Sequence, residues 1–274
     1  MGLIGAGIQA SRTPLMHEHE ADALGLRYVY RVIDLVELGL GAEALPDLLV
    51  AAERMGFAGL NITHPCKQSV VALLDTLSDD ARSIGAVNTV VLESGRRTGY
   101  NTDWSGFAES FRRGLPGAPL ERVVQLGAGG AGAAVAHAIL ALGAESLTIF
   151  DRDSGRAQRL AAGLCVRFGP GRAVAGSDMA IAMGAADGLI HATPTGMAAH
   201  PGLPMPPELL RPALWVAEIV YLPLETELLA AARRVGCRTL DGSGMAIFQA
   251  AEAFRLFTGI TPDVERMRSA FADV

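Results

Sequence analysis

The fold is indicated most clearly by residues 123–132, whose sequence is VVQLGAGGAG. The apolar run Val123 to Leu126 predicts a buried strand, and the glycine-rich turn after it leads into a helical pattern that reaches Leu142. The next predicted strand is Ser146–Phe150. Because a strand, a turn, a helix and a second strand follow one another in this order, we expect a βαβ unit within a doubly wound, Rossmann-type parallel sheet.

The glycine-rich turn predicts a dinucleotide site. Gly127, Gly129 and Gly132 match the spacing G-x-G-x-x-G, whose glycines allow a tight turn and let a pyrophosphate approach the backbone at a helix N-terminus. Asp151 stands at the end of the next strand, where a carboxylate accepts hydrogen bonds from ribose hydroxyls and repels a 2′-phosphate. We therefore expect NAD; NADP is less favoured, although the neighbouring Arg152 could meet a phosphate. The alternative is a turn that only packs a helix on a strand.

Composition and charge exclude several classes of protein. Hydrophobic residues make up 50% of the 274 residues and charged residues 19%, a globular composition that fits two domains. The net charge of −6 without any basic run argues against a nucleic-acid partner, and no apolar segment reaches the ~18 residues of a membrane helix. Cys66, Cys165 and Cys237 are too widely spaced for a C-x-x-C zinc site or a disulfide framework. We expect a cytoplasmic monomer or homodimer that binds a small molecule.

The first hundred residues alternate short apolar runs with helical patterns, which predicts another α/β unit with a largely parallel sheet. The predicted strands are Leu3–Ile8, Tyr28–Asp34, Gly59–Thr63 and Val87–Leu92. The predicted helices are Pro14–Leu24, Ala44–Met55 and Lys67–Thr76. The turn-rich segment 114–119 marks a boundary. Later elements are predicted strands at Gly188–Ala192 and Trp215–Val220 and an apolar helix at Gly244–Phe257.

Lysine is almost missing from the chain, since 22 of the 23 basic residues are arginine and one is Lys67. A lysine amine can release a proton, whereas an arginine guanidinium stays charged, so the single lysine indicates proton transfer. The alternative is chance retention of a solvated residue. Lys67 follows a predicted strand, at the kind of edge where open α/β sheets bind ligands, and we expect the polar groups around Asn88 and Asp103 to converge there. The hydroxyls of Ser11 and Thr13, just before a helix, are suited to binding a carboxylate.

These residues belong to motifs that resemble the shikimate dehydrogenase family, most closely its NAD-dependent quinate/shikimate dehydrogenase branch, over nearly the whole chain. The motifs are Ser11-x-Thr13-Pro14, residues 61–67, 85–89 and 99–103, the glycine-rich turn, residues 192–197, Tyr221-x-Pro223 and residues 241–250. The resemblance implies an N-terminal α/β substrate domain completed by C-terminal helices, residues 1–103 and 241–274, and a Rossmann-type nucleotide domain, residues 104–240. It also implies an active site in the cleft between the two domains.

The resemblance further implies roles for individual residues. The catalytic pair is Lys67 and Asp103. Substrate contacts fall on Ser11, Thr13, Thr63, Asn88 and Gln249, with Asn61 and Tyr221 as further candidates. Cofactor contacts fall on Gly127, Ala128, Gly129, Gly130, Ala131, Asp151, Arg152, Thr193, Pro194, Met197, Gly242 and Met245. His191 and Glu218 depart from the Asn and Asp that are usual in the family.

The resulting hypothesis is a dehydrogenase that transfers hydride between NAD and a hydroxylated cyclohexane or cyclohexene carboxylate, namely quinate or shikimate and their 3-dehydro forms. Lys67, held by Asp103, would exchange the proton of the reacting hydroxyl. Three alternatives stay open: an aminoshikimate dehydrogenase, a dehydrogenase for another shikimate-like acid, and a sensor that binds NAD and a cyclic acid without turnover. The histidines lack metal-ligand spacing, so no metal is expected. Two metabolic roles fit this hypothesis, quinate degradation and aromatic biosynthesis.

Overall fold

The structure, a computed structural model, describes residues 1–272. The chain forms two compact units, one made of residues 1–106 with the C-terminal segment from Ile247, and the other of Phe107–Ala246. The assignment of a substrate domain to residues 1–103 with 241–274, and of a nucleotide domain to 104–240, stays a prediction. Within residues 1–272, no helix is long and apolar enough to cross a membrane. The same residues contain no group of three or more His, Cys, Asp or Glu side chains able to hold a metal ion.

The first unit is built on a sheet of six described strands with the order β2-β1-β3-β5-β6-β4. The strands are β1 (Gly2–Gly5), β2 (Arg31–Asp34), β3 (Gly59–Ile62), β4 (Thr76–Leu77), β5 (Thr89–Glu93) and β6 (Arg96–Tyr100). The helices of this part of the chain are α1 (Thr13–Ala23), α2 (Leu45–Arg54), α3 (Asp79–Ile84) and α4 (Thr102–Gly114). The boundary between the two units, after Gly106, lies within α4.

The sheet of the first unit is parallel only in part, which corrects the expectation of a largely parallel sheet. β1 pairs in parallel with β2 and β3, but β5 pairs antiparallel with both β3 and β6. Ser94 and Gly95, with φ values of 52° and 73°, form the two-residue connection between β5 and β6. Two successive residues with positive φ are typical of the turn that closes an antiparallel hairpin.

The predicted helix Lys67–Thr76 is wrong. The structure has a short 3₁₀ helix at Ser69–Leu73, followed by strand β4. The Asp75 N–H donates to a carbonyl of β6, and β4 pairs in parallel with β6, so the sheet satisfies the backbone of this segment. The β-branched Val70 and Val71 also lower its helix propensity.

The second unit has a sheet of six described strands in the order β12-β11-β10-β7-β8-β9. The strands are β7 (Arg122–Leu126), β8 (Ser146–Phe150), β9 (Ala173–Ala175), β10 (Gly188–His191), β11 (Trp215–Glu218) and β12 (Arg238–Leu240). The helices are α5 (Gly130–Ala141), α6 (Ser154–Phe168), α7 (Met179–Ala185), α8 (Glu227–Val235) and α9 (Ser243–Thr258). The chain returns to the first unit within α9, after Ala246, and α10 (Val264–Ala272) belongs to the first unit. All described pairings are parallel, which confirms the Rossmann-type doubly wound fold.

Each unit has its own apolar core. In the first unit the core includes Ile4, Leu49 and Ile62, which are 1% exposed or less. In the second unit every residue of β10 and β11 is buried, as expected for parallel strands with helices on both faces of the sheet. The rigid strands therefore present their carboxyl ends, and the polar loops that follow them, at one edge of the sheet.

His17 is a buried histidine of α1 that the predicted chemistry does not use. Its Nδ1 lies 2.8 Å from the Tyr28 hydroxyl, and its ring packs against Tyr30 and Phe254 at centroid distances of 4.9 and 5.7 Å. Burial lowers the pKa of His17 from 6.5 to about 3, because the charged ring would lose its hydration, and the charge of the N-terminus lowers it as well.

We predict that the protein loses stability as the pH falls below 6.5, because the unfolded chain then binds a proton at His17 that the folded chain does not bind. Between pH 6.5 and 5 this group should lower the free energy of unfolding by up to ~1.4 kcal/mol per pH unit. Urea unfolding at several pH values measures this slope. His17→Asn should reduce the slope, whereas the exposed His19→Asn, as matched control, should keep it. An unchanged slope in His17→Asn would refute the assignment.

Candidate active site

The first unit brings Lys67 and Asp103 together in a close ion pair. Lys67 Nζ lies 2.6 Å from Asp103 Oδ2, and the two side chains are 16% and 7% exposed. Lys67 lies in the turn region after β3, and Asp103 lies in the first turn of α4. An amine that is largely shielded from water but still accessible is suited to proton exchange with a bound hydroxyl.

Asn88 orders the second oxygen of the same carboxylate. Its Nδ2 donates to Asp103 Oδ1 at 3.0 Å and to Thr102 Oγ1 at 2.9 Å, while its Oδ1 accepts the Thr102 N–H at 2.7 Å. Asn88 Nδ2 also lies 3.4 Å from Gln249 Oε1 on α9. The structure therefore groups four of the predicted residues, Lys67, Asp103, Asn88 and Gln249, in one polar cluster of the first unit.

Asn61 lies behind this cluster. It is 4% exposed, its Oδ1 accepts a hydrogen bond from the Tyr30 hydroxyl at 2.7 Å, and its Nδ2 donates to Thr89 Oγ1 at 3.1 Å and to the Asn88 carbonyl at 3.3 Å. Both polar atoms of its amide are engaged inside the protein, and its role as a substrate contact stays a prediction. Through these hydrogen bonds Asn61 also holds Asn88 and Thr89 in place.

Three more predicted residues of this unit have hydroxyl side chains and are partly exposed: Ser11, Thr13 and Thr63. Ser11 precedes α1, and its Oγ accepts the Thr13 N–H at 3.3 Å. Thr63 directly follows β3, and its methyl group lies against Gly5, where a Cβ would collide with it. Their roles as substrate contacts stay predictions.

In the second unit the glycine-rich turn joins β7 to α5. Gly127 has a φ of +101°, and a Cβ at this position would collide with the Ala192 carbonyl. At Gly129, by contrast, no other part of the described chain lies within 4 Å of the Cβ position. This open space at the N-terminus of α5 fits the pyrophosphate of a dinucleotide, which the backbone N–H groups there attract.

Asp151 directly follows β8 and contacts the glycine-rich turn. Its Oδ2 accepts the Ala128 N–H at 2.7 Å, and its Oδ1 accepts the Asp153 N–H at 2.9 Å. Since a carboxylate oxygen has more than one lone pair, the group can still accept hydrogen bonds from ribose hydroxyls. The neighbouring Arg152 is exposed.

The other predicted cofactor residues also lie near the carboxyl ends of these strands. Gly130 and Ala131 begin α5, Gly242 and Met245 lie at the start of α9, and Thr193, Pro194 and Met197 lie in the loop after β10. Tyr221, predicted as a substrate contact, belongs to the second unit and follows β11. Because β7, β8, β10 and β11 are parallel neighbours, the loops after them share one edge of the sheet, where open α/β sheets bind ligands.

Sequence reasoning missed two buried residues that hold these loops. Asp34 is 3% exposed, and its carboxylate accepts the N–H groups of Ile8 and Gly7 at 2.8 Å, just before Ser11. Burial raises the pKa of Asp34, but its backbone hydrogen bonds outweigh this effect and bring the pKa below its usual value. Gln125 of β7 donates from Nε2 to the carbonyls at both ends of the glycine-rich turn, each at 2.8 Å. The polarity of Gln125 within an apolar strand was the available signal.

A doubly wound sheet with a glycine-rich turn, and a lysine–aspartate pair on a second α/β unit, are features of a nucleotide-dependent oxidoreductase. Comparison with protein-family models matches residues 3–90 to the shikimate dehydrogenase substrate binding domain and residues 242–270 to the shikimate 5′-dehydrogenase C-terminal domain. The chain belongs to the shikimate dehydrogenase family.

Individual relatives carry two kinds of name. A shikimate dehydrogenase (NADP⁺) of Streptomyces avermitilis is 61% identical, over 100% of this chain and 95% of the relative. A quinate/shikimate dehydrogenase (NAD⁺) of Corynebacterium efficiens is 52% identical, over 99% of this chain and 96% of the relative. The solved quinate dehydrogenase from Corynebacterium glutamicum, in complex with NAD, superposes with a TM-score of 0.94 at 50% identity and covers 100% of this chain and 98% of that chain.

Proposed function

We propose that this protein is an NAD-dependent quinate/shikimate dehydrogenase. It would transfer hydride between NAD and a hydroxylated ring carboxylate, interconverting quinate with 3-dehydroquinate and shikimate with 3-dehydroshikimate. The observation that carries this proposal is the 2.6 Å contact between Lys67 Nζ and Asp103 Oδ2 within a cluster of amide and hydroxyl groups. A sensor without turnover would need the pocket but not this pair.

The proposed chemistry needs a group that takes the proton of a ring hydroxyl while the carbon loses hydride. NAD, when bound, supplies the hydride acceptor. Lys67 accepts the hydroxyl proton through its amine and returns it in the reverse reaction. Asp103 holds the amine in place, and Asn88 holds Asp103 by donating to its other oxygen. In this way the carboxylate orients the amine without taking part in hydride transfer.

The substrate's other groups are assigned from the same unit. The hydroxyls of Ser11 and Thr13 lie at the N-terminal end of α1 and would bind the ring carboxylate, which hydroxyl donors at a helix N-terminus favour. Thr63, Asn88 and Gln249 would bind the ring hydroxyls. The names of the Corynebacterium relatives support quinate as well as shikimate as substrate.

The preference for NAD is proposed from Asp151, whose carboxylate would repel a 2′-phosphate. The relatives differ on this point, because the one at 61% identity is named for NADP⁺ and the one at 52% for NAD⁺. We predict that Asp151→Asn raises the ratio of the specificity constants for NADP and NAD by about tenfold or more, since removal of a charge repulsion of ~1.4 kcal/mol has this effect. The exposed Arg152 would then be free to attract the phosphate.

Asp153→Asn is the matched control for this prediction. It removes one negative charge two positions away and keeps an oxygen that can cap α6, where Asp153 accepts the Arg156 N–H. Steady-state kinetics with both nucleotides should show a much smaller change than in Asp151→Asn. Equal changes in the two variants would mean that general charge, rather than a contact of Asp151, sets the preference.

The proposed function is tested directly by a panel of quinate, shikimate and aminoshikimate, each with NAD and with NADP. We expect NADH formation with quinate and with shikimate, and higher specificity constants with NAD than with NADP. Binding of NAD and quinate without any NADH formation would favour the sensor. Turnover of aminoshikimate alone would favour a dehydrogenase with a different substrate.

A further inference from the structure

Two buried ionisable side chains of the second unit take no part in the chemistry above. His191 ends β10 and Glu218 ends β11, and the parallel register pairs these two positions. His191 Nδ1 lies 2.9 Å from both carboxylate oxygens of Glu218, and both side chains are 0% exposed. Buried polar groups are costly unless hydrogen bonds satisfy them, so the partners of this pair indicate what it does.

Glu218 organises the loop after β11. Its Oε1 accepts the Val220 N–H at 3.0 Å, and its Oε2 accepts the Thr226 hydroxyl at 3.0 Å. Thr226 also caps α8 by accepting the Leu229 N–H. The carboxylate therefore ties both ends of the segment 220–226 to the end of its own strand.

His191 connects the pair to the loop after β10. Its Nε2 lies 2.6 Å from Thr193 Oγ1, and the same oxygen accepts the Thr195 N–H at 3.3 Å. Because an ionised carboxylate can only accept, His191 Nδ1 carries the hydrogen that faces Glu218, and in the tautomer with its hydrogen on Nδ1 alone, Nε2 is an acceptor. In this tautomer the Thr193 hydroxyl donates its proton to Nε2. Its remaining lone pair can meet a ligand only as a hydrogen-bond acceptor.

We propose that His191 and Glu218 are a positioning pair for the nucleotide. The pair engages the Thr193 hydroxyl proton and holds the Thr193 oxygen as an acceptor for an N–H or O–H donor of the bound nucleotide. The inference rests on the proposed function, since it takes the loop after β10 as part of the nucleotide site. Thr193 is partly exposed, whereas His191 is buried, so His191 acts through Thr193 without touching the ligand.

The geometry also couples the two loops to each other. A Cβ on Gly196 would lie 3.2–3.3 Å from Thr226, so the loop after β10 packs against the residue that donates to Glu218. The pair therefore reaches the loop after β10 by two routes, through the His191–Thr193 hydrogen bond and through Thr226.

A double-mutant cycle on His191 and Thr193 tests this inference through the dissociation constant of NADH, measured by fluorescence with the full chain and without a second substrate. His191→Asn keeps an amide donor close to the Nδ1 position, for Glu218, but loses the Nε2 contact. Thr193→Val removes the hydroxyl at constant shape. We expect each single variant to bind NADH about three- to tenfold more weakly, the usual effect of one hydrogen bond. The double variant should bind NADH no more weakly than the single variant with the lower affinity, because both changes remove the same interaction.

Two further measurements keep the test decisive if His191→Asn does not fold. Thr193→Ser keeps the hydroxyl and should restore NADH binding to within about twofold of the unchanged protein, because the same hydrogen bond can form. In the unchanged protein, ¹⁵N NMR should find the hydrogen of His191 on Nδ1, with its signal identified by the shift that Thr193→Val produces. A hydrogen on Nε2 would overturn the proposed direction of the Thr193 hydrogen bond.

The cycle separates this inference from the proposed function. Suppose that the unchanged protein binds NADH firmly and that the affinity losses of the two single variants multiply in the double variant. This result would overturn the positioning pair and leave the proposed function in place. If the unchanged protein bound no NADH at all, the nucleotide role of the whole unit would fail, and the inference would fail with it.

Discussion

Lys67→Arg is expected to lower the turnover number with quinate or shikimate by about 10²- to 10⁴-fold, the usual contribution of general acid–base catalysis. Arginine keeps the positive charge and can pair with Asp103, but its guanidinium does not release a proton at neutral pH. The affinity for NADH should change by less than about twofold, because Lys67 is not one of the predicted cofactor contacts and the exchange leaves those contacts unaltered. Steady-state kinetics and an NADH titration together measure both quantities.

The control for Lys67→Arg is the opposite exchange at an exposed site. Arg112 lies on α4, its side chain is 59% exposed, and it pairs with Glu109 one turn away. Arg112→Lys keeps the charge and should leave the turnover number unchanged, since exposed pairs of this kind contribute little. Near-normal turnover in Lys67→Arg would show that the amine is not the proton-transfer group. The Lys67–Asp103 contact would then no longer support the proposed mechanism.

Gly129→Ala is expected to weaken NADH binding by about 10- to 10²-fold, because a methyl group in the proposed pyrophosphate site would keep a phosphate from the backbone N–H groups, and a lost hydrogen bond to a charged group costs about 1.5–3 kcal/mol. The fold itself should tolerate the change to within ~1 kcal/mol, the scale of an ordinary helix-cap substitution. Gly129 has a φ of −75°, and no other described part of the chain lies within 4 Å of the new Cβ. The dissociation constant and the thermal midpoint of the ligand-free protein measure the two effects separately.

Gly127→Ala is the informative comparison. Its φ of +101° and the nearby Ala192 carbonyl make a Cβ unfavourable in the folded chain itself, at about 1–3 kcal/mol for the backbone strain. Gly127→Ala should therefore lower the thermal midpoint of the ligand-free protein, which Gly129→Ala should not. If Gly129→Ala bound NADH normally, the open space at the N-terminus of α5 would not be the pyrophosphate site.

The sequence predicts the all-parallel sheet of the second unit correctly, but predicts the mixed sheet of the first unit only in part. Strand β7, the glycine-rich turn and strand β8 follow one another within a short segment, so local pattern suffices to indicate them. Helices α6 and α8 were not predicted, although Asp153 and Thr226 cap them through the N–H groups of Arg156 and Leu229. That capping signal is present in the sequence and could have been used.

Contacts between distant segments could not be predicted in this way. Tyr30 reaches Asn61 across 31 positions although β1 separates β2 from β3, and His191 reaches Glu218 across 27 because β10 and β11 are neighbouring strands. His191 and Glu218 are visible in the sequence as departures from the family pattern, but their mutual contact depends on the register of β10 and β11. The predicted helix at residues 67–76 is wrong for a similar reason, since β4 forms by pairing with β6, which the local pattern does not show.

The first unit uses both ends of the chain. Gln249 of α9 approaches Asn88, Phe254 packs against His17, and the Asp263 N–H donates to the buried Glu20. During synthesis the N-terminal half emerges from the ribosome long before these partners exist, while Phe107–Ala246 is already continuous. Of the two units, the one whose translation begins first is therefore completed last, and Asn88 acquires its contact with Gln249 only after Gln249 has left the exit tunnel.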